Sequence, residues 1–389
     1  MSYAGMQTQV YDVAVVGAGP AGSSAAHAAA RAGAKTIVID RDAFPRYKTC
    51  GGGLIGPTLR SLPPEIAVPV RQEIYAVTFS HCGGAQKTWK SDKRALSLVD
   101  RADFDKALLD AAVSEGATAR LETLVTSVSE EKGCVRLGTD QGSIRAKYVV
   151  GADGSASRVA RFVGVECGQV DLGLELELDA SGLMDDWLGR IHLDWGPLPG
   201  SYAWVFPKRE TLTVGVIAHK RNARELKTYL QNFLAQQGLE RATVIRSSGH
   251  LTRCRSRDSP LGRGRVVVCG DAAGLLEPWT REGISFAIRS GSIAGRILAS
   301  AVRGDDIRST DNAVDVYAAE IGRSLVSEME AGAYFLAAFE RHTGLMHGIF
   351  ARSTLGWEAF QRIARGDTTL ARVLRHRSAR AIIRLLSVV

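Results

Sequence analysis

The sequence predicts an α/β chain: a Rossmann-like dinucleotide-binding domain, a mainly β second domain and a C-terminal helical region. Three observations carry this. Residues 11–50 read as strand, glycine turn, helix, strand and acid. Strands dominate residues 170–244, with one helical stretch among them. From residue 313 onward every segment reads as helix.

In the first stretch an apolar run at 13–16 is followed directly by Gly17-Ala18-Gly19-Pro20-Ala21-Gly22. An alanine-rich segment, 23–32, comes next, and a second apolar run, 36–39, ends at Asp40. In such a unit the first glycine permits a tight turn. The second lets backbone N–H groups reach a pyrophosphate, and the third lets helix and strand pack closely. The helix N-terminus turns its positive dipole end to the phosphates. Asp40, 23 positions after Gly17, suits hydrogen bonds to ribose hydroxyls. Alone, this stretch specifies a dinucleotide binder and leaves NAD and FAD both open.

The chain continues through Arg41 to Arg46-Tyr47-Lys48-Thr49-Cys50-Gly51-Gly52-Gly53-Leu54. Three successive glycines can bring backbone close to a flat ligand, and Arg46 and Lys48 put cations near an anionic one. Pro57, Pro63 and Pro64 break the chain before an expected strand at 74–79. Residues 101–112 form an amphipathic helix with Phe104, Leu108, Leu109 and Ala112 on one side and Arg101 at its start. Strands are expected at 121–128, 135–139 and 143–150; the last runs into Gly151-Ala152-Asp153-Gly154, a second strand and glycine turn before a helix.

The second region carries expected strands at 172–178, 190–195, 202–206 and 211–218 and a helix at 224–237. Residues 249–260 are charged and without clear periodicity, as in a return crossing between domains. A buried strand at 266–269 then ends in Gly270-Asp271-Ala272-Ala273-Gly274, followed by Pro278 to Gly283 and a helix at 284–302. Helices follow at 313–339, 346–365 and from 368 to the end. The expected division is a dinucleotide-binding domain from 9–75, 95–165 and 256–310, a sheet domain from 76–94 and 166–255, and a helical region at 311–389.

A chain of 389 residues fits two or three domains, and 45% apolar with 23% charged residues fits a globular protein. No apolar run reaches the roughly 18 residues of a membrane span. The N-terminus lacks a basic segment followed by an apolar one, so a cytoplasmic protein is expected, with a peripheral place on the cytoplasmic face of the membrane as an option. Six scattered cysteines without a CxxC pair argue against a zinc site and a disulfide framework, and no metal site is expected. The net charge of +8 fits nucleic acid, an anionic membrane or an anionic cofactor. No nucleic-acid recognition motif accompanies it, so no nucleic-acid partner is expected. From Thr368 onward Arg372, Arg375, Arg377, Arg380 and Arg384 stand without an acid beside Leu370, Val373, Leu374, Ile382, Ile383, Leu385 and Leu386. Such a basic amphipathic helix can lie on an anionic membrane surface; the alternative is a helix docked on the protein with its arginines in water.

Five motifs together resemble a known family. GAGPAG with Asp40, GADG at 151–154 and GDAAG at 270–274 resemble FAD-dependent oxidoreductases of the para-hydroxybenzoate hydroxylase fold group. Pro45 to Gly53 matches the PxxKxCGGG pattern of the geranylgeranyl reductase family, and Tyr202 to Pro207 matches its YxWxFP pattern. The resemblance covers about residues 10–300; the C-terminal helices match nothing specific. It implies FAD as cofactor. Gly17, Ala18, Gly19, Ala21, Gly22, Asp40 and Arg41 would hold its pyrophosphate and ribose, with Arg101 beside them and Val125 in contact. Asp153 and Gly154 would lie near the pyrophosphate, Gly270 and Asp271 at the ribitol, and Lys48, Cys50, Gly51 and Gly52 against the cofactor. Gly283 and Ile284 would run along the isoalloxazine, where N–H groups at a helix start favour the anionic reduced flavin.

The resemblance further implies a reductase that passes hydride from flavin N5 to carbon–carbon double bonds of a geranylgeranyl or polyprenyl chain on a lipid, quinone or pigment precursor. An isolated alkene is a poor hydride acceptor, so placement and exclusion of water matter most. Tyr202, Trp204 and Phe206 alternate along a strand and share one face, an aromatic wall suited to a prenyl chain; the alternative is a packed core face. Cys50, Tyr202 and Trp204 are the candidate catalytic residues. Cys50 is a candidate proton donor or positioning residue, although a neighbouring cation biases a thiol to thiolate. The other readings are a flavin-dependent monooxygenase or halogenase of a secondary metabolite, and a flavin-binding carrier without turnover. A halogenase of this fold would show a WxWxIP-type stretch and a dedicated lysine, and YAWVFP departs from that. Only one dinucleotide fingerprint is present, so the electron donor is NADPH bound transiently or a reduced electron-transfer protein.

Overall fold

The computed structural model describes residues 10–304 and 313–388. Two large sheets and a layer of C-terminal helices surround a large cavity.

The first sheet runs in the order Gly262–Arg263, Val266–Val268, Gly142–Gly151, Val10–Val16, Thr36–Ile39, Thr118–Arg120, with Cys134–Thr139 and Val125–Glu131 joined at the side of Gly142–Gly151. Val10–Val16 pairs in parallel with both of its neighbours. Unbroken apolar runs make such strands because a parallel sheet is covered on both faces; all four residues of Thr36–Ile39 are buried. The helix Pro20–Arg31 packs on the helix Ile284–Arg303. Small residues let the two meet backbone to backbone: a Cβ on Gly291 or Gly295 would overlap the carbonyls of Ala21 and Ala25. The starts of both helices, Gly19 to Ala21 and Gly283 to Ser285, thereby reach the same cavity.

The second sheet runs Val244–Arg255, Cys167–Asp179, Thr211–His219, Tyr202–Lys208, Arg190–Trp195, Ala76–His81, Lys87–Lys90. One face packs on the helix Ala223–Gln236 through Leu178, Val205, Val214, Leu226 and Phe233. The alternate residues of its strands turn to the cavity. A small third sheet joins Gly53–Leu54, Leu96–Val99 and Val70–Ile74.

Three expectations need correction. The strand expected at 74–79 is two: Val70–Ile74 in the small sheet and Ala76–His81 in the second, broken at the exposed Tyr75. The strand expected at 121–128 begins only at Val125, because Glu122 adopts a left-handed φ of 51° that no strand continues through. The crossing expected at 249–260 is largely the strand Val244–Arg255, at the edge of the second sheet. An edge strand half in water carries no apolar alternation, which hid it.

The C-terminal helices divide differently from the expectation: Ala313–Ile321, a π turn at Gly322–Val326, Ser327–Arg352 with a break at His342, Thr354–Ala364, Leu370–Val373 and Arg377–Val388. Among the described side chains of the tail, the apolar ones pack inward. Leu370 and Ile383 are buried, with Val373, Leu374 and Leu386 packed beside them, in a cluster holding Trp279, Phe335, Phe339 and Trp357. Arg372, Arg375, Arg377, Arg380 and Arg384 remain exposed. Residues 1–9, the expected boundary at 310/311 and the side chains of Ile382 and Leu385 lie outside the described residues. Among the described residues no helix is long and apolar enough to cross a membrane.

Candidate functional site

A cavity of about 1020 Å³ lies between the two large sheets and reaches the C-terminal helices. It has a polar limb under the glycine turn and an apolar limb beneath the second sheet.

The polar limb begins at the turn after Val10–Val16. Gly17 holds φ at 98°, and a Cβ on Gly22 would overlap the Gly17 carbonyl, so strand and helix touch without side chains between them. Asp40 fastens the turn: its Oδ2 accepts the Ala18 N–H at 2.6 Å and its Oδ1 the Asp42 N–H at 3.0 Å. Arg41, Arg46 and Arg158 add positive charge along the cavity wall. The buried Arg101 holds Asp105 through two hydrogen bonds of 2.8 Å. Asp153 accepts a hydrogen bond from Ser157 and the N–H of Arg158 at 2.7 Å, capping the helix Arg158–Val163, so that the Asp153–Gly154 turn borders the cavity.

Lys48 Nζ lies 3.0 Å from His250 Nε2, on the edge strand, and His250 Nε2 lies 3.7 Å from Asp271 Oδ2. Burial alone would raise the Asp271 carboxyl; the hydrogen bond to His250 and the charges of Lys48 and Arg101 hold it below the usual carboxylate range. Burial lowers the Lys48 ammonium, with Asp271 working the other way. Glu282 Oε1 accepts the Ser285 N–H at 2.7 Å and caps the helix whose first residues, Gly283 and Ile284, border the cavity. Burial pushes the Glu282 carboxyl up to about 7.

The junction of the limbs is the loop at Cys50, Gly51 and Gly52. The Cys50 N–H donates to Glu175 Oε1 at 3.0 Å, and Cys50 Sγ accepts the Gly52 N–H at 3.4 Å. A Cβ on Gly51 would come within 2.8 Å of Phe206 Cδ2, so the loop lies directly on the aromatic wall. Tyr202, Trp204 and Phe206 do share the cavity face, with ring centroids 5.8 and 6.4 Å apart. Trp195, Trp279, Phe350 and Phe360 continue the wall into the apolar limb, which reaches Ile363 and Leu370. The Tyr202 hydroxyl donates to the Thr280 carbonyl, and burial pushes the phenol up.

Of the candidate residues, Gly17, Gly19, Ala21, Asp40, Arg41, Lys48, Cys50, Gly51, Gly52, Arg101, Val125, Asp153, Gly154, Tyr202, Trp204, Asp271, Gly283 and Ile284 border the cavity. Ala18, Gly22 and Gly270 are not among the residues that border it. The Ala18 N–H is used by Asp40, Gly22 packs under Gly17, and the Gly270 N–H donates to Ser290 Oγ at 2.9 Å. The sequence reading missed Glu175, His250 and the buried pair Asp171–Arg281. The signal for Glu175 is the alternation Asp171-Leu172-Gly173-Leu174-Glu175-Leu176, in which leucines face the helix while Gly173 and Glu175 border the cavity and Asp171 is buried against Arg281.

All six cysteines are free thiols. His27, Glu65 and Glu115 bring ligand-type atoms within 4.8 Å of one another, but Arg31 bonds Glu65 there and already supplies the positive charge.

The polar limb fits a dinucleotide of FAD size. Two helix starts, five cations, the Asp40 carboxylate and a cradle that side chains on its glycines would fill converge on it. The chain matches the family model described as FAD binding domain over residues 10–327. It is 31% identical over 309 residues to the digeranylgeranylglycerophospholipid reductase of Methanocaldococcus jannaschii, covering 76% of this chain and 79% of that one. The crystal structure of a geranylgeranyl bacteriochlorophyll reductase-like protein of Thermoplasma acidophilum superposes with a TM-score of 0.80 at 23% identity, covering 97% of this chain and 99% of that one. A flavin-dependent halogenase shares the fold at a TM-score of 0.67 and 22% identity, over 97% of this chain and 72% of its own.

Proposed function

The chain belongs to the FAD-binding domain family as a flavin-dependent oxidoreductase of the geranylgeranyl reductase-like group, and from that premise we propose that it saturates carbon–carbon double bonds of a geranylgeranyl-type chain. The chain to be reduced is carried on a lipid, quinone or pigment precursor. One observation supports this most: a single cavity joins the helix starts of the polar limb to an aromatic limb, with the Cys50 loop at the junction.

Bound in the polar limb, FAD supplies the hydride. The protein's residues do the rest. Asp40, Arg41, Arg46 and Arg158 take the ribose and phosphates, while the N–H groups at Gly283 and Ile284 stand at a helix start that favours negative charge. Tyr202, Trp204 and Phe206 hold an apolar chain against the Cys50 loop and keep water from it. The electron donor is NADPH bound transiently or a reduced electron-transfer protein. The exposed arginines of the tail give the protein an electrostatic contact with an anionic membrane that carries such substrates.

The test is anaerobic incubation of reduced holoprotein with prenyl lipids, quinones and alcohols. The reading expects a mass gain of two hydrogens per bond. A gain of one oxygen or one halogen, in the presence of oxygen and halide, would replace it with a monooxygenase or halogenase.

A further inference from the structure

Saturating an alkene needs a proton as well as a hydride, and resting on the reductase reading we propose that Glu175 delivers that proton. Glu175 is 2% exposed and borders the cavity at the junction of its limbs. Its Oε1 accepts the Cys50 N–H at 3.0 Å, and its Oε2 is buried without a hydrogen-bond partner. The register explains its place at the aromatic wall. Glu175 is opposite Gly215, and Gly215 is opposite Trp204 on the next strand. Gly215 has no side chain, and a Cβ there would overlap the Trp204 indole, so the ring lies across Gly215 toward Glu175. An acid with one free oxygen is thus set between the loop and the wall that would hold the alkene.

The other acids of the cavity are committed elsewhere. Asp40 and Asp153 accept backbone N–H groups at the phosphate end. Asp271 is paired with His250, Glu277 accepts from Trp279 and Thr280, and Glu282 caps Ser285; Asp42 lies beside Arg41 and Arg46, and Glu328 accepts the Ala371 N–H at 3.4 Å. Cys50 is placed as an acceptor, since its sulfur takes the Gly52 N–H and lies within hydrogen-bond reach of Arg101. Burial pushes the Glu175 carboxyl up to about 7; the charge of Lys208, the Cys50 N–H and Lys48 pull it down, and Glu177 pushes it up. Burial and the charges of Glu175 and Glu177 raise the nearby Tyr47 phenol.

In the step, one alkene carbon receives the hydride from reduced flavin, which is oxidised. The π electron pair forms the second C–H bond with the Glu175 proton. The carboxylate left behind takes a proton from solvent before the next turnover.

The experiment is anaerobic stopped-flow oxidation of reduced holoenzyme by a geranylgeranyl lipid, in wild type, Glu175→Gln and Glu175→Asp. Glu175→Gln is expected to slow the substrate-dependent oxidation about 10²-fold or more, with FAD content and binding of the lipid to the oxidised enzyme unchanged. The wild-type rate is expected to fall as pH rises through about 7, and Glu175→Asp to keep a fall of that kind. Infrared spectra of wild type are expected to show a protonated-carboxyl band below that pH that Glu175→Gln lacks. A wild-type rate and pH profile in Glu175→Gln, or no such band in wild type, overturns the assignment and leaves the reductase reading standing. No oxidation of wild type by any prenyl lipid overturns the reductase reading and the assignment with it.

Discussion

Asp171 and Arg281 form a 3.0 Å ion pair in which the two side chains are 1% and 3% exposed. The pair ties the strand Cys167–Asp179 to the turn that delivers Gly283 and Ile284 to the cavity. Arg281 adopts a left-handed φ of 56° there and also donates to the carbonyls of Gly200 and Trp279 at 2.9 and 2.7 Å. Removing one partner leaves the other charge buried and unpaired, which costs about 3–5 kcal/mol. Asp171→Ala is therefore expected to lower unfolding free energy by that amount in denaturant titrations and to reduce FAD retention. A loss under ~1 kcal/mol would show that the pair does not hold the turn.

Gly22 sits where any side chain meets the Gly17 carbonyl. Overpacking a core costs about 1–3 kcal/mol when side chains can shift, and here the obstacle is backbone. Gly22→Ala is expected to abolish FAD retention on purification even where the chain folds. Full FAD content in that variant would mean that the turn can be rebuilt.

Glu175 gives stability a pH dependence of known sign. Its folded value of about 7 lies above its ordinary value of 4.5, so the neutral carboxyl is the form that folding favours. Its contribution is whole below the ordinary value and is lost as pH rises through about 7. The stability of Glu175→Gln relative to wild type is expected to rise by about 3 kcal/mol across that window, as an order of magnitude. Equal pH dependence in both proteins, by denaturant titration at several pH values, would contradict the shift.

Trp204 carries the middle of the aromatic wall, 9% exposed between Tyr202 and Phe206. Truncating an aromatic ring in an apolar site removes about 1.5–3 kcal/mol of binding. Trp204→Ala is expected to lower kcat/KM for a prenyl substrate about 10–100-fold while FAD content stays whole. An unchanged kcat/KM would mean that the substrate does not use this wall.

The glycine turn, Asp40 and the aromatic strand were legible because each depends on local spacing. Gly17 to Gly22 form one turn and helix start, and Tyr202 to Phe206 alternate on one strand. What escaped depends on distant partners. The use of the Ala18 N–H by Asp40, 22 positions away, has no local signal. Glu175 lies on a strand of alternating leucines, and only the approach of Cys50, 125 positions away, makes it part of the site. The edge strand Val244–Arg255 was hidden because one side of it meets water and the other a polar cavity, so neither selects apolar residues. The tail reads as an amphipathic helix in either setting, and spacing alone gives no sign that Ile383 is buried in the protein.

The most direct test of the central claim is anaerobic mixing of the dithionite-reduced holoprotein with a lipid bearing a geranylgeranyl chain, followed by the flavin spectrum and the mass of the lipid. The account predicts that the flavin is oxidised in step with a gain of two hydrogens per bond. A flavin that stays reduced until oxygen is admitted, with the lipid unchanged, would contradict it.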